Sequence, residues 1–568
     1  MSLTTIISFL LLSYALLAVA NSPTIGYELS IYSATPRIFW VAIIFGLLNG
    51  LFLSASGLYG KTGKIPIIGI FQIVLCNCLI ISIYALRGYV LYSGRDDVST
   101  YVGLAKDISN FGYFDRNFYP MTSIYLSQLS QLTSLPIIVI SKYIPSLFFV
   151  FYILSIYCWS KSLIADRKFV LSSLIASTPI FFAWFSMSIF HQVLSVFTLP
   201  FLFYLLQRNS DYRFKLFSII FLIIYPFFHP ITGIVVLLYL TVFFISEKLN
   251  IGEKKKNIST TLMLLSFAVL VAWFIQQYAI LRSMNSVLFQ LIGLLSNPTA
   301  SDSALSYMNA LGFMTAIRTF VLMIADEIVF CLISLFVIYR FILRNESSIA
   351  QKFSKISICF IIGNLFLIII FLFTRTHVPY RLINLNFNMI LTPPLVGYLI
   401  YKFLLNNNRV KAVLIISLIF VSAVTAVFSL YPSPITMSAN NQVTISDILG
   451  MKWLIIHKNT ELKTMDIRSG VFRFSDLIFG CDFIRGRSDI NRDLVIPYHF
   501  GFTEKNVFPI DKDTYLLITE FDVTSYTEVW KDMDKFGKED FIKVDFCTNV
   551  DKLYENGEFR SYFVHKND

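Results

Sequence analysis

Long apolar segments recur along this chain from its first residues to about Ser429, and no such segment follows. A helix of about 20 apolar residues spans the ~30 Å hydrocarbon core of a bilayer, and it pairs its own backbone polar groups there. The chain is 56% hydrophobic and 14% charged, whereas soluble domains are about 25% charged. The pattern therefore predicts an all-α polytopic membrane bundle of about thirteen transmembrane helices, with a transmembrane domain over residues 1–431 and an α/β domain over residues 432–568.

Basic residues divide the loops between these spans into two sets. One set is short and basic, and contains Lys61 and Lys64, Lys161 to Lys168, Arg208 to Lys215, Lys248 to Lys256, Arg340 to Lys355, and Lys402 to Lys411. The positive-inside rule places these loops in the cytoplasm. We therefore expect a multi-pass plasma membrane protein with a cytoplasmic N-terminus and an extracytoplasmic C-terminal domain.

Two further expectations follow from charge. Since the basic residues lie between spans, the net charge of +11 requires no nucleic-acid partner. Ala18-Val19-Ala20 resembles a signal-peptide cleavage site, but no Lys or Arg precedes the first apolar segment. We therefore expect that segment to be a retained helix.

The first long outer loop, over residues 87–135, contains two predicted surface helices. Four of its residues recur at helical spacing: Asp97, Tyr101, Ala105 and Ile108. This spacing predicts a helix that opens at Asp96-Asp97 and ends at Gly112, and a second amphipathic helix follows over about Met121 to Leu132. Both helices are expected to lie at the membrane surface.

The Asp96-Asp97 pair has two interpretations from its chemistry alone. Acidic residues favour helix N-termini because they cap free N–H groups and complement the helix dipole. Two carboxylates at a membrane surface are also suited to general base catalysis, with one member binding or orienting an acceptor.

Other outer loops carry groups suited to an anionic headgroup. Arg375, His377 and Arg381 lie close together between the eleventh and twelfth spans, and guanidinium groups pair well with phosphate. His229 follows the seventh span and His191 opens the sixth. The structural alternatives are membrane-surface anchors for the arginines and helix caps for the histidines.

Charged residues within predicted spans are costly and therefore informative. Asp326 and Glu327 lie in the tenth span, and Lys142 lies in the fourth. They either pair with each other or line a polar cavity open to the outside. In the C-terminal domain no nucleophile or metal pattern is evident, and a disulfide between Cys481 and Cys547 stays open.

The sequence from Asp96 through Tyr101, Ala105 and Ile108 to Gly112, placed in the first long outer loop of a many-span chain, resembles the C-type membrane glycosyltransferase superfamily (GT-C). That superfamily includes protein O-mannosyltransferases and aminoarabinose transferases, and the resemblance suggests a prokaryotic member, either bacterial or archaeal. Two features depart from the family pattern. The long loop follows the third span rather than the first, and Asp-Asp replaces the common Asp-Glu.

The resemblance implies an inverting glycosyltransferase that takes its sugar from a polyprenyl-phosphate-linked donor. Asp97 would be the general base and Asp96 would position the acceptor, which is a lipid, a glycan or a protein. We assign donor and phosphate contacts to a set of outer and intramembrane residues, namely Arg375, Arg381, His229, His377, Tyr101, His191, Lys142 and Glu327. No cofactor is expected, although a divalent cation at Asp96-Asp97 stays open.

Two other functions fit the same sequence. A transporter or flippase of a lipid-linked saccharide would use the same basic outer groove, and would tolerate Asp97→Asn unless binding needs the charge. A non-catalytic scaffold that presents the C-terminal domain would tolerate changes at both Asp97 and Arg381.

Overall fold

The structure is a computed structural model that describes residues 3–60, 63–114, 119–249, 260–276, 309, 312–342, 348–373, 386–490, 496–502 and 507–566. The predicted site residues Arg375, His377 and Arg381 lie outside these ranges.

Helices dominate the described chain up to Ser429. In chain order they are α1 Leu3–Ala20, α2 Ile31–Ala34, α3 Arg37–Ser56, α4 Ile65–Ile81, α5 Ile83–Leu86, α6 Asp97–Phe111, α7 Met121–Thr133, α8 Ile137–Leu163, α9 Arg167–Ala176, α10 His191–Phe197, α11 Leu199–Gln207, α12 Tyr212–Phe228, α13 Pro230–Lys248, α14 Thr260–Gln276, α15 Phe313–Val337, α16 Ser348–Phe373, α17 Thr392–Leu405 and α18 Arg409–Ser429.

Eight helical segments of the described chain are long and apolar enough to cross a membrane. They contain α1, α3, α8, α13, α15, α16, α17 and α18, and three shorter apolar segments contain α4, α10 with α11, and α14. This finding supports a multi-pass membrane protein. Each of the predicted spans coincides with at least one helix, but the count of about thirteen exceeds the eight that meet the length criterion.

Hydropathy predicts the fifth span over residues 169–186, but these residues do not form one continuous helix. The helix α9 ends at Ala176, and a short 3-10 turn covers Ala183–Met187. Pro179 explains the break, because proline disfavours helical geometry in the residue before it and cannot donate a backbone hydrogen bond. Phe182 and Ala183 adopt positive φ values of 74° and 43° in the connecting turn.

Small residues bring α3 and α4 close together. A Cβ atom on Gly69 would lie 2.6 Å from the backbone oxygen of Gly50, so only glycine fits there. Beside this contact Asn49 donates a hydrogen bond of 2.8 Å to Gln72. Glycine contacts and buried amide pairs are the usual means by which membrane helices associate.

The two helices predicted in the first long loop are confirmed as helices, while their position at the membrane surface stays a prediction. The helix α6 begins after Asp96 and ends before Gly112, whose φ of 77° is the left-handed conformation that glycine adopts readily. The helix α7 covers Met121–Thr133 and packs against α6. Local sequence signals were sufficient here because both helix ends carry their own start and stop residues.

The chain after α18 forms a mixed α/β unit. Its further helices are α19 Ile445–His457, α20 Val471–Phe479, α21 Glu520–Thr524 and α22 Lys538–Lys543, and its strands are β2 Gln442–Val443, β3 Thr464–Asp466, β4 Thr514–Thr519, β5 Val550–Glu555 and β6 Phe559–Val564. The sheet has the order β3-β4-β6-β5, with β3 parallel to β4 and the other pairs antiparallel.

Both faces of the central strand β4 are covered. Tyr515 and Leu517 belong to the same hydrophobic core as the membrane helices, whereas Leu516 and Ile518 belong to a second core within the C-terminal unit. Because successive side chains of a strand point to opposite faces, this sheet separates the two cores.

A buried ion pair and a short strand pair attach the C-terminal unit to the first long loop. The strand β1, Leu91–Tyr92, pairs antiparallel with β2. Arg95 then donates from Nη2 to Asp447 at 2.8 Å, with both side chains 3% exposed. Its guanidinium lies 4.3 Å from the ring centroid of Phe521. The loop that carries Asp97 is thus fixed to the C-terminal unit.

Candidate functional site

A cavity of about 410 Å³ lies between α6 of the first long loop and α20 of the C-terminal unit. The polar residues on its wall are Asp97, Thr100, Tyr101, Asp107, Tyr113, Tyr119, Arg473, Asp476, Cys481, Asp482 and Arg485, and its apolar residues are Leu104, Ile108, Phe111, Phe114 and Ile484. Small-molecule sites in proteins have volumes of this order. The two parts of the chain therefore enclose a space large enough for a substrate group.

Asp97 is the first residue of α6 and forms an ion pair with Arg473 of α20. Its side chain is 30% exposed, so the carboxylate is both held and reachable from the cavity. The position at the helix N-terminus favours a negative charge because the free N–H groups point toward it.

Asp96 occupies a different position from Asp97. It precedes α6 in an extended conformation, and its Oδ2 accepts a hydrogen bond of 3.3 Å from the amide of Asn441. It does not belong to the cavity wall described above. The geometry therefore distinguishes the two carboxylates, and only Asp97 faces the cavity.

Close contacts along one face of α6 fix it against the C-terminal unit. A Cβ atom on Gly103 would lie 2.5 Å from the backbone oxygen of Asp476. One turn later Lys106 donates to the carbonyl of Leu477 at 2.5 Å, and Asp107 accepts from the backbone N–H of Cys481 at 2.8 Å. The cavity wall is thus built from preorganised elements.

A cluster of tyrosine and histidine rings lies beside the cavity. Tyr101 and Tyr119, which line the cavity, have ring centroids 3.8 Å and 4.9 Å from that of His191. His229 lies next to Tyr119, with centroids 5.3 Å apart. Three predicted substrate contacts, Tyr101, His191 and His229, are therefore brought together.

The two histidines differ in their hydrogen bonds. His229 caps α13, since its Nδ1 accepts from the backbone N–H of Ile231 at 3.3 Å, and its Nε2 lies 3.0 Å from the amide of Gln192. His191 is 1% exposed, and within the described ranges neither of its ring nitrogens has a hydrogen-bond partner. An unpaired buried polar group costs about 1–3 kcal/mol. A ligand that forms a hydrogen bond with the His191 imidazole would remove this cost.

The other predicted site residues lie elsewhere. Lys142 donates to the backbone carbonyl of Tyr89 at 2.6 Å, and no ion pair within the described ranges joins it to Asp326 or Glu327. Both acidic residues are buried, at 4% and 6% exposure. Neither they nor Lys142 belong to the cavity wall described above. Arg375, His377 and Arg381 lie outside the described ranges.

Sequence reasoning missed the contribution of the C-terminal unit. Arg473 and Asp476 are three residues apart on the short apolar helix α20, a spacing that places both on one face. That signal was available, but nothing local indicates which other helix this face contacts. Tyr119 was missed as well, because it lies outside both predicted surface helices.

The disulfide that the sequence left open between Cys481 and Cys547 is not formed in the described chain. Cys481 and Cys547 are free thiols, with Cys481 donating to the carbonyl of Thr100 at 3.4 Å and Cys547 to that of Lys543 at 3.4 Å. Within the described ranges no group of three His, Cys, Asp or Glu is arranged to hold a metal ion.

Comparison with known proteins finds similarity in structure but not in sequence. No protein-family model matches the chain, and no curated protein sequence matches it. The crystal structure of ArnT from Cupriavidus metallidurans bound to undecaprenyl phosphate is similar to it with a TM-score of 0.45 and 8% identity, over 87% of this chain and 98% of that chain. At this identity and TM-score the similarity assigns neither an activity nor a residue role to this chain.

Proposed function

We propose that this protein is a membrane glycosyltransferase that moves a sugar from a polyprenyl-phosphate-linked donor to the hydroxyl of a lipid, glycan or protein acceptor. The reaction takes place on the extracytoplasmic side of the plasma membrane and inverts the anomeric centre. The N-terminus is cytoplasmic and the C-terminal unit extracytoplasmic, in accordance with the positive charges of the alternate loops.

The observation that carries the proposal is the position of Asp97 on the wall of a substrate-sized cavity outside the candidate spans. The carboxylate is accessible and is held by an arginine. Tyr101 of the same cavity wall contacts the buried His191, whose ring nitrogens have no hydrogen-bond partner among the described residues. A carboxylate held by a neighbouring cation is suited to accept the proton of a hydroxyl acceptor, and the unpartnered imidazole can donate or accept a hydrogen bond with a bound group.

In the proposed reaction Asp97 accepts the proton of the acceptor hydroxyl while the acceptor oxygen attacks the anomeric carbon. The bond from that carbon to the donor phosphate oxygen breaks, and its electron pair stays on the phosphate oxygen. The polyprenyl phosphate therefore leaves with one additional negative charge. Arg375, Arg381 and His377 are our candidates for stabilising this charge, and Tyr101, His191 and His229 for binding the donor sugar or its phosphate.

The first experiment supplies the purified protein in lipid nanodiscs with radiolabelled polyprenyl-phosphate sugars and with lipid, glycan and peptide acceptors. We expect loss of one donor, with an equal amount of label appearing on an acceptor. Binding of a donor without turnover in any acceptor mixture would instead favour the transporter, which vesicle translocation of the same donor would then test. The absence of both donor binding and turnover would favour the scaffold.

The His191→Phe variant tests the unpartnered imidazole. Phenylalanine keeps the ring packing against Tyr101 and Tyr119 but removes the two unsatisfied nitrogens. We expect the protein to become more stable by about 1 kcal/mol, as measured by thermal unfolding in nanodiscs. We also expect its donor affinity to fall by about tenfold, the loss of one hydrogen bond to a charged group.

A matched control for this variant is Ser160→Ala. Ser160 is also fully buried, and its side-chain oxygen has no partner in the part of the chain that the structure describes. It lies near the far end of α8 and is not part of the cavity wall. It should leave donor affinity unchanged. A normal donor affinity in His191→Phe would remove His191 from the donor site.

A further inference from the structure

Arg473 belongs to the C-terminal unit, yet it contacts two residues at the start of α6. Its Nη2 donates to Asp97 and its Nη1 donates to the hydroxyl of Thr100 at 2.5 Å. Asp97 and Thr100 are one helical turn apart and therefore face the same way. The planar guanidinium bridges both with two separate N–H groups, a geometry that a lysine ammonium does not reproduce.

Thr100 extends these contacts to a second carboxyl group. Its hydroxyl accepts from Arg473 and donates its single proton to Oδ2 of Asp476 at 2.5 Å. Asp476 is 6% exposed, and its burial raises the pKa of this carboxyl. The four side chains thus form a directional chain from Asp97 through Arg473 and Thr100 to Asp476, and all four line the cavity.

The packing around these four side chains leaves Arg473 little freedom. Its guanidinium lies 4.5 Å from the ring centroid of Phe472. Thr100 and Asp476 come from helices that approach so closely at Gly103 that no Cβ fits. A group held in this way can fix the direction of a carboxylate before substrate arrives.

We propose that Arg473 is a positioning residue, which orients the Asp97 carboxylate in the cavity, so that the C-terminal unit completes the site. This inference rests on the proposed function for its kinetic consequence, but the orientation itself is a property of the resting protein.

The structural alternative is that the ion pair only attaches the C-terminal unit. Partly exposed ion pairs contribute little to stability, and the side chains of Arg473 and Asp97 are 21% and 30% exposed. The C-terminal unit is already attached to the first long loop by the buried Arg95–Asp447 pair, the β1–β2 pairing and the contacts of Lys106 and Asp107. Loss of Arg473 should therefore leave the fold intact and disturb the site.

The kinetic test uses full-length protein in nanodiscs, with the radiolabelled donor and the acceptor that the label-transfer experiment selects. Arg473→Ala is expected to lower kcat by about 10²-fold, the usual consequence of misplacing a reacting group by about 1 Å, with a KM for donor within about threefold of wild type. Methylguanidinium should restore part of the kcat that Arg473→Ala loses. The kcat of Arg473→Lys should fall between those of Arg473→Ala and wild type. The matched control is Arg560→Ala, whose pair with Asp545 has nearly the same exposure, 19% and 29%.

A second test needs no turnover. With Asp97→Cys, the introduced thiol is alkylated with N-ethylmaleimide at pH 7, in the presence of Arg473 and with Arg473→Ala. A neighbouring guanidinium favours the thiolate, so Arg473 should accelerate alkylation by about three- to tenfold. Simple opening of the structure by Arg473→Ala would change the rate in the opposite direction, and Arg560→Ala should leave it unchanged.

The two tests separate the possible outcomes. A lower kcat together with slower alkylation supports the positioning role. A normal kcat in Arg473→Ala, or a lower kcat with unchanged alkylation, overturns it. If wild type consumes no donor but alkylation still depends on Arg473, the glycosyltransferase proposal fails while the positioning of residue 97 stands.

Discussion

Replacing Asp97 with Asn is expected to lower donor consumption by about 10²–10⁴-fold, which is the usual contribution of a general base. Asparagine has nearly the same shape and its amide oxygen still accepts the hydrogen bond from Arg473, but it cannot take up the acceptor proton. The fold should survive, because a charge at a helix N-terminus contributes only about 0.3–1 kcal/mol. The measurement is the initial rate of label transfer in nanodiscs, at saturating donor and acceptor.

The control for Asp97→Asn is a carboxylate with a purely structural position. Asp211 precedes α12 and accepts from the backbone N–H of Arg213 at 3.0 Å, and asparagine caps helices about as well as aspartate. Asp211→Asn should therefore transfer label at the wild-type rate. Equal rates in Asp97→Asn, Asp211→Asn and wild type would show that Asp97 is only a helix-capping residue.

Replacing Arg95 with Met is expected to destabilise the attachment of the C-terminal unit by about 3–5 kcal/mol, because it leaves Asp447 buried and uncompensated. Arg95 also donates to the carbonyl of Gln442 and packs over Phe521, so its loss removes several contacts at one point. The measurement is protease cleavage of the C-terminal unit in nanodiscs over a series of urea concentrations.

Two companions make the Arg95 prediction specific. Arg560→Met breaks a partly exposed pair with Asp545 and should cost about 0–1 kcal/mol. Adding Asp447→Asn to Arg95→Met removes the uncompensated charge but keeps an acceptor for the Thr444 N–H, so it should recover part of the lost stability. If Arg95→Met matched Arg560→Met, the buried pair would not hold the two parts together.

Helix-end signals are sufficient for α6, the element that carries Asp97. The helix α6 was predicted between Asp96 and Gly112 because caps and apolar periodicity act over a few residues. Hydropathy alone did not reveal the break after Ala176. The segment from Ile180 to Met187 is almost uniformly apolar, so only Pro179 marked the end of the helix.

The partners within the site lie beyond the reach of such local signals. Arg473 follows Asp97 by 376 residues, and hydrophobic periodicity specifies which face of α20 is polar but not which helix it contacts. The resemblance of Asp96 to Gly112 to a glycosyltransferase motif pointed to α6 and to Asp97. It gave no indication that the opposite wall comes from the C-terminal unit.

The strand pair β1–β2 also determines when the site can form during synthesis. Leu91 pairs with Val443, which follows all of the membrane helices in the sequence. The segment that carries Asp97 therefore cannot pair with β2 until those helices have been synthesised. At about 5–20 residues per second, the delay until Arg473 is made is roughly 20–75 s. A chain truncated anywhere before β2 can thus insert its helices without acquiring the assembled cavity. The cavity can therefore form only after the whole membrane domain has been synthesised.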